Sequence, residues 1–193
     1  MARSDAALVD LDPAGRHRGV GRRFARVAAG VTDWDAPAPC EGWVARDVVA
    51  HLVGWIPGLL ESSAGVILEP VADVGRDPVA AWRERYAGLQ ALLESPAADR
   101  AVRTPHFAGR LADMVDAFWT GDVFLHTWDL ARASGQEPDL DEGIAARMLA
   151  AMRPMDAALR SSGHYGPAVA VPDDAPVQDR LVGFTGRDPR WRP

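Results

Sequence analysis

Two side chains that can bind a metal lie four residues apart in the segment 121–133, which the sequence predicts to be one helix. A step of four residues turns a helical side chain by only about 40°, so Asp122 and His126 face the same side, about 6 Å apart at Cβ. A carboxylate oxygen and an imidazole nitrogen can converge on one divalent ion from these positions. Two ligands do not make a site, and His51 is the candidate third ligand.

A purely structural role is the alternative for the same three residues. Ionisable groups on the apolar face of a helix are costly to bury unless they have partners. A single histidine on an inner face is often a hydrogen-bonded core residue, and Asp122 with His126 can be a buried ion pair. Sequence distance alone does not decide whether His51 meets the other two.

Asp129, three residues beyond His126, has three possible roles. It can be a fourth metal ligand, it can accept the second ring N–H of His126, or it can form a salt bridge with Arg132 on the same helix. We leave it outside the predicted ligand set. Cys40 is interpreted as a small buried apolar residue rather than a nucleophile.

The remaining histidines and the tryptophans are given ordinary roles. His17, His106 and His164 have no partner at ligand spacing and are predicted to lie on the surface or in loops. Several tryptophans can either wall a pocket or pack in the core, and core packing is their default role. These are Trp43, Trp55, Trp119 and Trp128.

Apolar side chains recur at helical spacing over most of the chain, and strand-like alternation is almost absent. Asp77 followed by Pro78 is a clear helix start, and Pro57 should bend or end the second helix. Segment 101–109 is predicted to be extended or looped, and a short helix is predicted around 177–184. The predicted fold is all-α, a four-helix bundle with an additional helix and an irregular C-terminal tail.

The predicted domain organisation is a metal-binding helical bundle over residues 1–162 and a tail over 163–193 that packs on it. The chain has 193 residues, a formal net charge of -6 and 48% hydrophobic residues, which is enough for a sizeable core. Scattered arginines outnumbered by acidic residues argue against nucleic acid, and the apolar runs are too short for a membrane span. One cysteine excludes an intrachain disulfide, so we expect a reducing cytoplasm.

Three segments carry a resemblance to a known superfamily. They are 39–54, PCEGWVARDVVAHLVG; 122–131, DVFLHTWDLA; and the tail from Gly166 to Pro189. Together they resemble the actinobacterial branch of the DinB/YfiT-like superfamily, the branch of mycothiol-dependent maleylpyruvate isomerase, and the tail is similar to a metal-binding-protein subgroup of it. The resemblance extends over nearly the whole chain.

The resemblance implies a four-helix bundle that binds a divalent metal, zinc or nickel. It carries over one ligand to His51 on the second helix and two ligands to Asp122 and His126 on a later helix. The isomerase has Glu at the middle position and YfiT-like proteins have His, so Asp here is one methylene shorter than Glu. The isomerase also has a substantial further domain where this chain offers a short tail, and for that reason we do not transfer the isomerisation.

Three functions follow as hypotheses. The resemblance implies a metal-dependent thiol S-transferase that uses mycothiol, a low-molecular-weight thiol, and acts on a small electrophilic metabolite. One alternative is a thiol-independent isomerase, lyase or hydrolase of a small metabolite with the metal as Lewis acid. The other is a non-catalytic metal- or ligand-binding bundle. A small-molecule substrate is the expected partner, and a homodimer is an open possibility.

Overall fold

The computed structural model describes residues 7–193, so the first six residues of the predicted bundle segment lie outside the described residues. The principal helices and strands, in chain order, are α1 Pro13–Ala29, α2 Ala45–Gly54, α3 Ile56–Ala64, α4 Pro78–Leu93, β1 Ala101–Thr104, β2 Phe107–Arg110, α5 Leu111–Val115, α6 Gly121–Ala133, α7 Glu142–Met152, α8 Asp156–Ser161 and α9 Val177–Phe184. A π-helical segment, Asp116–Thr120, joins α5 to α6 without a break.

Aspartates cap the starts of three long helices. The carboxylate of Asp77 accepts a hydrogen bond from the backbone N–H of Ala80 at 2.8 Å, and Pro78 follows at the first helical position, as the sequence predicts. Asp12 caps α1 and Asp141 caps α7 in the same way. A carboxylate at this position satisfies an otherwise unpaired backbone N–H and favours the positive end of the helix.

The four-helix bundle consists of α1, α2, α4 and α6. Helices α4 and α6 each pack against both α1 and α2, so the four form a closed ring around one core. That core contains the fully buried side chains of Phe24, Leu52, Trp82 and Trp119. The predicted mainly helical fold is confirmed, and the predicted additional helix corresponds to α7.

Pro57 interrupts the predicted second helix and divides it into α2 and α3. Because proline has no backbone N–H, it leaves the carbonyl of Val53 without its helical donor. The guanidinium of buried Arg85 on α4 replaces that donor, with Nε 3.2 Å from the Val53 oxygen. The break therefore adds a contact between α2 and α4, and Trp55 lies at the junction of α2 and α3.

The segment predicted to be extended or looped forms a small antiparallel hairpin of β1 and β2, with Ala101 opposite Arg110. The chain then enters the long helical run α5–π–α6. Within the π-helical segment, the indole of Trp119 donates to the carbonyl oxygen of Leu52 at 2.8 Å. Such a segment shifts the phase of the residues that follow, so it sets which face of α6 meets α2.

The C-terminal tail packs through α9, which lies against α7 and buries Leu181 and Val182. The short helix predicted around 177–184 agrees with α9, Val177–Phe184. The boundary between residues 162 and 163 stays a prediction. Over residues 7–193, no helix combines the length and the apolar character needed to cross a membrane.

Candidate metal centre

Helices α2 and α6 bring His51 to Asp122. Nε2 of His51 lies 2.8 Å from Oδ2 of Asp122, within hydrogen-bond distance. Since a carboxylate only accepts, Nε2 of His51 carries the proton in this arrangement. The same carboxylate oxygen also accepts a hydrogen bond from the indole Nε1 of Trp55 at 3.0 Å. Trp55, at the junction of α2 and α3, thus supplies a second donor to Asp122.

His126 completes the group from one turn further along α6. Its Nε2 lies 3.4 Å from Oδ1 of Asp122. One ligand atom from each of His51, Asp122 and His126 can be chosen so that all three lie within 4.8 Å of one another. The structure therefore brings together the three residues predicted from the sequence, although His51 is distant along the chain.

The group is closed on one side and open on the other. The side chain of His126 is 7% exposed, whereas those of Asp122 and His51 are 23% and 34% exposed. The ring of Trp43 stacks on His126 with a centroid distance of 5.7 Å and also contacts His51. Trp43 and Trp55 line the group, whereas Trp119 and Trp128 are fully buried in the core. A small molecule can approach from the His51 side.

Asp129 lies behind His126 and is completely buried. Its Oδ2 is 2.8 Å from Nδ1 of His126, but the two groups are not aligned as a hydrogen bond, and Nδ1 has no aligned partner among residues 7–193. The contact is a short charge contact rather than a directed bond. Of the three roles considered for Asp129, the salt bridge with Arg132 is not formed, and Asp129 lies at the second nitrogen of His126 without the aligned hydrogen bond that was considered.

Arg187 is the cation that sequence reasoning missed. Its Nε and Nη2 each lie 2.7 Å from an oxygen of Asp129, a bidentate ion pair between the tail and α6. Arg132, the salt-bridge partner considered for Asp129, instead contacts Glu137 and the carbonyl of Pro189. A buried carboxylate requires a cation, but nothing in the sequence indicates that it comes from position 187.

The charges in this group shift each other's pKa values. Burial disfavours the charged forms, but His126 and His51 outweigh it at Asp122 and hold the pKa of that carboxyl well below its ordinary value. At Asp129, Arg187 and His126 likewise outweigh the effect of burial, and the pKa of that carboxyl also lies below its ordinary value. The two carboxylates raise the pKa of His126 well above its ordinary value despite burial. His126 thus lies between two carboxylates that both favour its charged form.

Cys40 is half-buried at the edge of this group rather than buried in the core as the sequence suggested. Its Sγ lies 3.6 Å from Oδ2 of Asp129 and 3.7 Å from Nη2 of Arg187. Cys40, His126 and Asp129 also offer ligand atoms within 4.8 Å of one another. Two sets of three donors thus share His126, one set through each ring nitrogen.

A comparison with protein families matches residues 17–131 to the model described as the mycothiol maleylpyruvate isomerase N-terminal domain. The chain belongs to this family. The match contains all three predicted ligands together with Cys40 and Asp129. It ends before Arg187.

Two curated relatives are uncharacterized proteins of Mycobacterium tuberculosis, from strains CDC 1551 and H37Rv. Each is 29% identical to this chain over 184 residues, a region that covers 93% of the chain and 100% of the relative. Because they cover 93% of the chain, their similarity extends beyond the family match and into the tail. No solved structure matches the chain significantly.

Membership in the family identifies the bundle as a mycothiol-related, DinB-like metal-binding domain, and the donor set fits that description. Two imidazoles and one carboxylate are the ligand types that zinc and nickel accept in proteins. The second nitrogen of His126 faces a buried carboxylate, as is usual for a histidine that binds a metal. His51, Asp122 and His126 stay the predicted ligands, and their ligand atoms lie close enough together for one ion.

His17 is not a surface residue, and this prediction is wrong. It is 1% exposed, its ring stacks between Tyr86 and Trp119, and its Nδ1 lies 2.7 Å from Oε1 of Gln90. Burial lowers the pKa of His17 to about 4, so it is neutral at pH 7. A histidine that has no second ligand at metal-binding spacing can still be buried, so spacing alone does not predict that its side chain is exposed. His106 and His164 are exposed as predicted.

Proposed function

We propose that the protein is a metal-dependent enzyme of the thiol S-transferase type, with His51, Asp122 and His126 as metal ligands and mycothiol as the thiol. The observation that carries the proposal is the convergence of these three side chains in a group that stays partly open to solvent. Three protein ligands with an open side are typical of catalytic rather than structural metal sites.

The residues of the chain fit this role in distinct ways. A divalent ion held there supplies Lewis acidity, which lowers the pKa of a thiol that coordinates it. The indole of Trp55 orients Asp122 by a hydrogen bond, and the Asp129–Arg187 pair holds the far side of His126. The ring of Trp43 contacts both imidazoles.

Tyr165 of the tail lies near the same group. Burial raises its pKa, and the negative charge of Asp122 adds to this effect. We expect zinc or nickel as the ion, a small electrophilic metabolite as the substrate, and a reducing cytoplasm as the location.

Two alternatives use the same group of residues. A thiol-independent isomerase, lyase or hydrolase would use the ion directly on a small metabolite. A non-catalytic bundle would bind a metal or ligand without turnover. The partly open side favours a site that admits a small molecule over a closed structural site, but it does not select the reaction.

The test is to incubate the metal-loaded protein with mycothiol and a panel of electrophiles, and to compare conjugation with the thiol-only rate. We expect conjugation that requires both metal and mycothiol and that the variant Asp122→Asn lacks. Turnover that persists without any thiol would support the Lewis-acid alternative. Metal binding without conjugation or other turnover would support the non-catalytic one.

A further inference from the structure

The second donor set lies directly behind the proposed metal ligands. Cys40 contributes a thiol, Asp129 a fully buried carboxylate, and His126 its Nδ1. Within residues 7–193 this nitrogen has no aligned hydrogen-bond partner, although His126 is 95% buried. A thiol, an imidazole nitrogen and a carboxylate oxygen are a ligand combination that zinc and similar ions accept.

A cation already lies against this donor set. The guanidinium of Arg187 contacts both oxygens of Asp129 at 2.7 Å and the sulfur of Cys40 at 3.7 Å. Its third nitrogen, Nη1, donates to the hydroxyl of buried Thr185 at 3.1 Å. Arg187 thus has partners on all sides, and its charge balances the buried carboxylate as a metal ion would.

We propose that Cys40, His126 and Asp129 form a second metal-ligand set, which the native protein keeps metal-free because Arg187 is its resident cation. The inference rests on the proposed function in one respect: His126 binds the ion held by His51, Asp122 and His126 through its Nε2 atom. Arg187 directs an incoming ion to the open set of His51, Asp122 and His126. It also keeps the cysteine sulfur out of the coordination of that ion.

Removing Arg187 changes the electrostatics in a predictable way. A buried carboxylate that loses its only bidentate partner is strongly destabilised unless another cation replaces that partner. A divalent ion can replace it, because three donors already lie within reach of one another. On binding, the thiol of Cys40 loses its proton to solvent and the sulfur donates to the metal, with no change of oxidation state.

The experiment is a titration with Co²⁺ followed by absorption spectroscopy. Wild type is expected to bind cobalt without sulfur-to-cobalt charge transfer, whereas Arg187→Gln shows that absorption. The double variant Arg187→Gln/Cys40→Ala should lose it, and Arg187→Lys, which keeps a cation in place, should resemble wild type. Arg190→Gln, an exposed arginine of the same tail, is the matched control.

Each outcome of the titration has a separate meaning. Arg187→Gln with cobalt bound but without charge transfer overturns the inference and leaves the proposed function intact. Charge transfer in wild type also overturns it, since the ion would then contact Cys40 in the native protein. Wild type that binds no cobalt overturns the proposed function, whereas charge transfer in Arg187→Gln alone would still support the second ligand set.

A second measurement uses the native protein, in case Arg187→Gln does not fold. Alkylation of Cys40 by iodoacetamide is timed before and after addition of one equivalent of Zn²⁺. The inference predicts no change in wild type, and at least about ten-fold protection in Arg187→Gln where that variant folds. Strong protection of wild type would contradict the inference.

Discussion

At the residue scale, the chemistry depends on which group faces each oxygen and nitrogen of Asp122, His126 and Asp129. Asp122 contacts two imidazoles and one indole, and Asp129 contacts one imidazole and one guanidinium. The spacing of Asp122 and His126 predicted their shared face. It could not predict Arg187, because that contact joins residues 58 positions apart.

Asp122→Asn is expected to weaken metal binding by about 100-fold or more, since it removes the only anionic ligand of the set. The amide occupies nearly the same volume, so the fold should persist. The dissociation constant is measured by competition with a chromogenic chelator. Asp113→Asn, at a partly exposed carboxylate of the same helical run that pairs with Arg110, should bind metal as wild type does. Equal affinities of the two variants would exclude Asp122 as a ligand.

His17 predicts a dependence of stability on pH. Its pKa is about 4 in the folded protein and about 6.5 in the unfolded chain, so the unfolded chain takes up the proton first. The stabilisation from neutral His17 is therefore fully present above pH 6.5 and is lost as the pH falls toward 4, a loss of about 3 kcal/mol at most. Urea unfolding of the metal-free protein at several pH values measures it.

The control for this prediction is a comparison of two substitutions. His17→Gln should flatten the loss between pH 6.5 and 4, whereas His106→Gln, at an exposed histidine, should leave it unchanged. Asp122, Asp129 and His126 also contribute to the pH slope, but they do so equally in both variants, so their contributions cancel when the two slopes are compared. The same pH slope in both variants would contradict the assignment to His17.

The burial of His17 had a signal in the sequence that was overlooked. His17 lies on the apolar stripe of α1, three residues before Val20.

At the element scale, the sequence predicted the helices well because their ends carry strong local signals. Asp77 with Pro78 begins α4, and Pro57 ends α2, as predicted. The π-helical segment Asp116–Thr120 was not predicted, since it depends on long-range contacts such as that between Trp119 and Leu52. Local sequence therefore fixes where the helices lie, while tertiary contacts fix which side chains of α6 face α2.

Arg85→Met is expected to destabilise the protein by about 1–3 kcal/mol, because the carbonyl of Val53 loses its donor and stays buried. The carbonyl of Glu69 loses a second contact with the same guanidinium. The free energy of unfolding in urea measures the effect. Arg83→Met, at an exposed arginine of the same helix, should change it by less than about 0.5 kcal/mol. Equal effects would show that Arg85 does not support the kink.

The turn after α9 places Arg187, and Gly186 makes that turn. Gly186 has φ +93°, and a Cβ there would lie 3.1 Å from the backbone of Gly166. Gly186→Ala should therefore cost about 1–2 kcal/mol more than Gly163→Ala, whose φ is also positive but whose Cβ would meet open space. Urea unfolding compares the two variants. Equal costs would mean that the close approach to Gly166 is not restrictive.

At the scale of the whole molecule, a closed ring of four helices brings His51 to α6, and the tail supplies a cation behind the group. The fold class and the ligand candidates were accessible from sequence because helical spacing and the family resemblance both point to them. The contact of His51 with Asp122 and the role of the tail were not, since each requires the assembled bundle. The family match covers residues 17–131 and does not include the tail.

Elemental analysis of purified, dialysed protein before and after His51→Ala tests the central claim most directly. His51 is the ligand furthest along the chain from the other two, and without it Asp122 and His126 are insufficient to retain an ion. Wild type and the exposed-histidine control His106→Ala are expected to retain about one divalent ion per chain, and His51→Ala almost none. Retention of the wild-type amount by His51→Ala would contradict the metal centre described above.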